Sequence, residues 1–191
     1  MTVMSISRFF LFVVLCGTAF QACSQATTTT KEATTKAPAT TTTKEAAPQP
    51  KPVTYASAKE GWLVDLDEAY ALSAKSGKPI LANFTGSDWC GWCKKLDADV
   101  FSKPEFQAWA KKNVILLEVD FPRRFQIPQK NRSQNAAMQN ALQVTGYPTV
   151  WALNLTKDPA SGQYQIDGLG KTGYTPTADQ FISTVDKFVN P

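Results

Sequence analysis

Cys90 and Cys93 stand two residues apart in the stretch Cys90-Gly91-Trp92-Cys93. Two thiols at this spacing can cycle between dithiol and disulfide. The apolar run from Pro79 to Phe84 precedes them and continues into Thr85-Gly86-Ser87-Asp88-Trp89. That pattern predicts a strand that feeds a helix, with the cysteines at the helix mouth. With Cys90 at the N-terminus, Cys93 falls one turn on and on the same face. Helix N-termini leave backbone N–H groups unpaired and carry partial positive charge. Such a setting lowers a cysteine pKa from about 8.5 to roughly 3.5–7.5. Cys90 is then a nucleophile at neutral pH, and Cys93 can resolve the mixed disulfide.

Two other readings of the spacing compete. A C-x-x-C pair can be half of a zinc site. The chain has four cysteines and no histidine, and Cys16 and Cys23 lie near its start. The remaining segment offers two sulfurs, so the reading calls for no metal and no cofactor. A permanent Cys90–Cys93 bridge is the second alternative. It would close a very short loop and constrain the unfolded chain little.

The first 22 residues read as a signal peptide. Arg8 is followed by an apolar stretch from Phe9 to Leu15, and Cys16 to Phe20 stay mostly apolar. This is a charged region followed by a short hydrophobic one, interrupted too soon for a span of about 20 residues. Phe20-Gln21-Ala22-Cys23-Ser24 resembles a bacterial lipobox, with Phe20 and Gln21 in place of the usual aliphatic and small residues. Cleavage before Cys23 would make it the acylated first residue, and each buried CH₂ adds about 0.8 kcal/mol of membrane affinity. An ordinary signal peptide cleaved near Ala22 is the alternative. Export suits a dithiol, because envelope compartments permit disulfides.

Residues 23–52 read as a lipidated cysteine and a disordered tether. After Ser24, residues 25–52 are Thr, Ala, Lys, Pro, Glu and Gln alone, and Ala-Thr-Thr-Thr-Thr-Lys-Glu-Ala occurs at 26–33 and again at 39–46. Such a segment cannot bury enough apolar surface to offset its ordering entropy. A flexible chain of this length spans roughly 30 Å root-mean-square.

Residues 53–191 are long enough for one domain. With Arg8 and the four tether lysines set aside, 15 of the 20 basic residues remain, and without Glu32 and Glu45, 14 of the 16 acidic ones. A domain this close to neutral gives no support for nucleic-acid binding. Helices are expected over Asp65–Lys75, Gly91–Val100, Pro104–Lys112, Gln134–Val144 and Pro176–Val189. Strands are expected over Pro79–Phe84, Val114–Val119, Thr149–Leu153 and Gln163–Asp167, with a loop from Phe121 to Asn131. The order α-β-α-β-α-β-β-α predicts an α/β mixed sheet with helices on both faces.

This order resembles a thioredoxin fold, with C-G-W-C after the first central strand and Gly146-Tyr147-Pro148-Thr149 before the third. The resemblance covers roughly residues 60–190. Phe84 to Leu96 and Val119-Asp120-Phe121-Pro122 look most like bacterial envelope thioredoxin-like proteins and the C-terminal domain of the transmembrane thiol:disulfide interchange reductase. The resemblance implies Cys90 as nucleophile, Cys93 as resolving thiol and Pro148 as the cis-proline, with the residue before it, Tyr147, facing the dithiol. Trp92 and Tyr147 would contact substrate. A plain trans turn is the alternative at Tyr147–Pro148.

Departures from thioredoxin bear on direction. Gly91-Trp92 stands where thioredoxin has Gly-Pro, and Asn83 where it has a buried, ionisable Asp. Asp88 is expected at the surface, and Trp89 either over Cys90 or in the core. Strong envelope oxidants place His between the cysteines; its absence argues for reduction or isomerisation. The implied partners are disulfide-bonded client proteins, a membrane reached through the lipid anchor, and a membrane thiol reductase as electron donor. Localisation would be the cell envelope. A non-enzymatic peptide-binding module with a structural disulfide is the alternative, as is a reductant specialised for apocytochrome c. Lys94 and Lys95 could favour a thiolate. The cluster Arg123, Arg124, Lys130 and Arg132 could steer an acidic client, although a solvated loop explains it more simply.

Overall fold

Ile80–Thr85 (β1) is buried at every position, which is why its sequence shows no alternation. It is a central strand of the computed structural model, which describes residues 55–191. The signal peptide, Cys16, Cys23 and the tether lie outside the described residues. β1 pairs in parallel with Ile115–Asp120 (β2) and antiparallel with Thr149–Lys157 (β3). β3 pairs antiparallel with Tyr164–Thr172 (β4), giving the order β2-β1-β3-β4. Leu63 bridges Leu117 in parallel on the outer side of β2.

Alternation along β1 sends its side chains to two different cores. Leu81 joins Leu96, Val100, Phe101, Phe106 and Phe181 on one face. These come from Gly91–Leu96 (α2) and the turn beyond it, Pro104–Asn113 (α3) and Ala178–Val189 (α5). Ile80, Ala82 and Phe84 join Leu66, Ala69 and Met138 on the other, under Leu66–Ser76 (α1) and Gln129–Ala141 (α4). The sheet therefore has helices on both faces, as expected.

The helix ends follow local chemistry. Asp65 caps α1 by accepting from the N–H of Asp67 and Glu68, and Gly77, at φ 72°, closes it. Thr177 caps α5 through the N–H of Gln180, so this helix begins at Ala178 and not at Pro176. Beyond α2 the chain does not stay α-helical to Val100. Asp97–Phe101 forms a π-helical turn that places Val100 and Phe101 side by side in the core.

Further boundaries in α4, β3 and β4 differ from expectation. α4 starts at Gln129, inside the stretch expected as loop, and ends at Ala141 instead of Val144. Its buried face is Asn131, Asn135 and Met138, and a buried face carrying two asparagines gives little hydrophobic periodicity. Both side chains replace missing backbone partners: Asn131 Nδ2 donates to the Val64 carbonyl at 2.9 Å and Asn135 Nδ2 to that of Asp120 at 2.8 Å. β3 and β4 run to Lys157 and Thr172, past the expected ends at Leu153 and Asp167. Gly168 and Gly170 hid the extension of β4. They are needed because a Cβ there would lie 2.8 Å from the Trp151 ring and 2.5 Å from the Phe188 ring.

Candidate active site

The chain turns from β1 into α2 over Gly86–Trp89. The Cys90 N–H donates to the Gly86 carbonyl at 2.8 Å, and the Lys94 N–H to the Cys90 carbonyl at 3.1 Å. Cys90 is extended (φ −80°, ψ 105°) and serves as the N-cap of α2; its Sγ accepts from the Cys93 N–H at 3.2 Å. The helix thus aims a backbone donor at this sulfur, the interaction that favours negative charge there. Cys90 and Cys93 form a disulfide, with Cα atoms 5.3 Å apart. Both residues are buried, at 6% and 5% exposure, whereas Trp92 between them is 59% exposed.

Three connections surround the pair. The Trp92 ring lies 5.1 Å from that of Tyr174, in the segment joining β4 to α5. The Tyr147–Pro148 peptide bond is cis. Trp89 packs edge-on against Tyr147, at 5.8 Å between ring centroids. Its Nε1 donates to the Phe121 carbonyl at 2.8 Å, so the half-buried Trp89 ties the dithiol turn to the loop after β2 and does not enter the core. Gln139 of α4 donates to Tyr147 Oη at 2.7 Å. Burial raises the Tyr147 pKa, with the Gln139 hydrogen bond opposing it.

Asp88 is half-buried and accepts from the backbone N–H groups of Arg123 and Arg124. Desolvation pushes its carboxyl up, but donation from Arg124 and Arg123 outweighs this and holds it below its ordinary value. Lys94 Nζ donates to the Asp88 carbonyl at 3.1 Å, and Lys95 pairs with Asp99 at 2.8 Å. The basic cluster divides: Lys130 pairs with Asp65 and Asp67 at 2.5 and 3.2 Å, while the three arginines stay exposed.

A buried polar layer lies on the face of the sheet beneath α2. Asn83 pairs in register with Glu118, and Thr85 with Asp120. All four are buried, and alternation places them on the side of Leu81. Among the described residues Asn83 Oδ1 has no hydrogen-bond partner. Glu118 forms an ion pair with Lys59 and accepts from Ser57 Oγ at 3.0 Å. Lys59 Nζ also lies 4.0 Å from Asp97 and 4.9 Å from the centroid of the Trp62 ring. Burial raises the Asp120 pKa, opposed by hydrogen bonds from Ser87. Burial, then the charges of Asp120 and Glu118, raise that of Tyr55. The sequence pattern points to no role for Glu118, and Asp120 enters it only within the stretch Val119-Asp120-Phe121-Pro122. The signal was present: an acidic residue inside the apolar run Ile115–Val119, and a second directly after it, must be buried with partners or lie at a site.

Comparison with known proteins adds the family. A model described as thioredoxin-like matches residues 61–154. The solved structure of a "DsbH Oxidoreductase" is 30% identical, with a TM-score of 0.58, and the match covers 76% of this chain and 93% of that one. The chain belongs to the thioredoxin-like family. Among curated thioredoxin-like relatives, "Disulfide bond reductase DsbH" of Chlamydia pneumoniae is 38% identical over 81 residues, 42% of this chain and 49% of that protein. "Thiol:disulfide interchange protein DsbD" of Klebsiella pneumoniae is 35% identical over 105 residues, 55% of this chain and 15% of that protein. The chain thus spans less than half the length of either curated relative.

Proposed function

We propose that this thioredoxin-like chain is a lipid-anchored thiol–disulfide oxidoreductase of the cell envelope that reduces or isomerises disulfides of client proteins. The observation that carries the reading is the Cys90–Cys93 pair at the mouth of α2, with the Cys93 N–H already aimed at the Cys90 sulfur. The name of the DsbH relative favours reduction. Residues 1–22 as signal peptide, Cys23 as acylated residue and 24–52 as tether complete the proposal.

The reaction starts from the dithiol. Cys90 thiolate attacks one sulfur of a client disulfide. A Cys90–client bond forms, the client S–S bond breaks, and the departing client thiolate takes up a proton. Cys93 then loses its proton and attacks Cys90 Sγ. The mixed disulfide breaks and the second client thiolate leaves. Two electrons have passed to the client, and the protein holds the Cys90–Cys93 disulfide seen here. A membrane thiol reductase returns it to the dithiol by the same exchange. Trp92 and Tyr147, with Pro148, form the surface the client meets.

Insulin reduction by the full chain tests the reading. Cys90→Ser is expected to abolish it, and Cys93→Ser to accumulate a mixed disulfide with clients. Undiminished reduction by Cys90→Ser would sink the proposal, as would the absence of any trapped species with Cys93→Ser.

A further inference from the structure

The loop between β2 and α4 carries a groove that the thiol chemistry leaves unused. Phe121, Phe125 and Ile127 supply apolar walls and Arg123 and Arg132 a charged rim, around a cavity of about 480 Å³. Of the three large apolar side chains exposed among the described residues, Phe125 lies on this groove and Trp92 lies between the cysteines. Exposed apolar surface gathered near a reactive centre is a mark of recognition.

The groove is continuous with the dithiol surround. The Phe121 ring lies 5.3 Å from that of Tyr147, and the Phe121 carbonyl receives Trp89 Nε1. Gln139, on the groove wall, donates to Tyr147 Oη. Trp89 precedes Cys90 and Tyr147 precedes Pro148, so the side chains that touch Phe121 and Arg123 of the groove are chain neighbours of the dithiol and of the cis-proline.

Its charge is open to a ligand. The Arg123 guanidinium lies 3.7 Å from the centroid of the Trp89 ring. Stacking occupies the face of a guanidinium and leaves its edge donors for a carboxylate. Arg132 donates from Nε and Nη2 to the neutral Gln129 Oε1 at 3.1 and 2.5 Å. Neither arginine forms an ion pair among the described residues. No acidic residue lines the groove. The neighbouring Asp88 carboxylate is engaged by the backbone N–H groups of Arg123 and Arg124.

We infer that this groove is a client subsite, holding an extended peptide segment in which an apolar aromatic side chain stands beside a carboxylate. The inference rests on the oxidoreductase reading and narrows it to clients with such a segment near the disulfide. A peptide can lie in the groove and present its sulfur to Cys90.

Fluorescent peptides without cysteine test this by anisotropy with the full chain, at about 50 and about 300 mM salt. One carries Phe-Glu-Glu, one Phe-Lys-Lys and one Ser-Glu-Glu in an otherwise identical polar frame. The Phe-Glu-Glu peptide is expected to bind about tenfold more tightly than either of the others, as for hydrogen bonds to a charged group. High salt and Arg132→Gln should each shrink its lead over Phe-Lys-Lys, and Phe125→Ser its lead over Ser-Glu-Glu. Equal affinities, no measurable binding, or preferences that survive both variants would overturn the subsite. So would binding to phosphatidylglycerol vesicles through Arg132 without any peptide preference. Because these peptides cannot react, the result stands apart from insulin reduction. A preference without reduction keeps the groove and sinks the oxidoreductase reading; reduction without a preference does the reverse.

Discussion

Gly86 sits where β1 turns toward the cysteines, and a methyl group there would meet the flat side of Trp89. A Cβ built at Gly86 lies 2.3 Å from Trp89 Cε2. That ring cannot swing away freely, because its Nε1 is bonded to the Phe121 carbonyl and its edge faces Tyr147. Gly86→Ala is therefore expected to lower stability by about 1–3 kcal/mol, as for overpacking generally. Urea unfolding of the two proteins measures it, and an unchanged midpoint would show that the indole yields. At this scale the cysteines were legible because both lie in one contiguous stretch with telling spacing. The partners of the buried layer were not. Nothing local links Lys59 to Glu118, or Asn83 to its register neighbour; only the pairing of β1 with β2 and the path of residues 57–63 bring them together.

At the scale of elements, one carboxylate ties α1 to three others. Asp67, in the first turn of α1, accepts from Tyr164 Oη of β4 at 2.5 Å and pairs with Lys130 of α4 and Lys157 of β3, each at 3.2 Å. The Tyr164 hydrogen bond, then those from Lys130 and Lys157, lower its pKa to about 2. An unfolded chain holds it near 3.9. A depressed folded pKa stabilises above the unfolded value, and this contribution fades as pH falls from about 4 toward 2. The Asp67 side chain is 52% exposed, so solvent screening keeps the effect below about 1 kcal/mol. Asp67→Asn should cost that much at pH 6, with the difference from the natural protein shrinking toward pH 2. Paired denaturation curves at the two pH values check this, and an equal difference at both would remove the ion pairs from the account. Elements with an apolar face, such as α5 and β1, could be read from sequence alone. α4 was half-read because asparagines take the place of aliphatic residues on its buried side, and β4 was cut short because its glycines make room for rings from elsewhere.

At the scale of the whole molecule, the two-sided sheet was legible from the order of elements. The basic excess of the sequence belongs mostly to residues 1–52, which are proposed as leader and tether. If Cys23 carries the lipid, Cys23→Ser should move the protein in cells from the membrane fraction to the soluble envelope fraction. Retention in the membrane would discard the anchor and leave the dithiol chemistry untouched. The bridge from Leu63 to Leu117 has a different consequence. Leu63 occupies the middle of the outer side of β2, taking the Glu118 N–H and giving its own N–H to the Leu116 carbonyl. Among the described residues, β4 is then the side of the sheet left for another strand. Growth by strand addition needs a free side on each end of every unit. Addition at β2 has first to displace Leu63 from its two backbone bonds, whereas addition at β4 meets no such obstacle among the described residues.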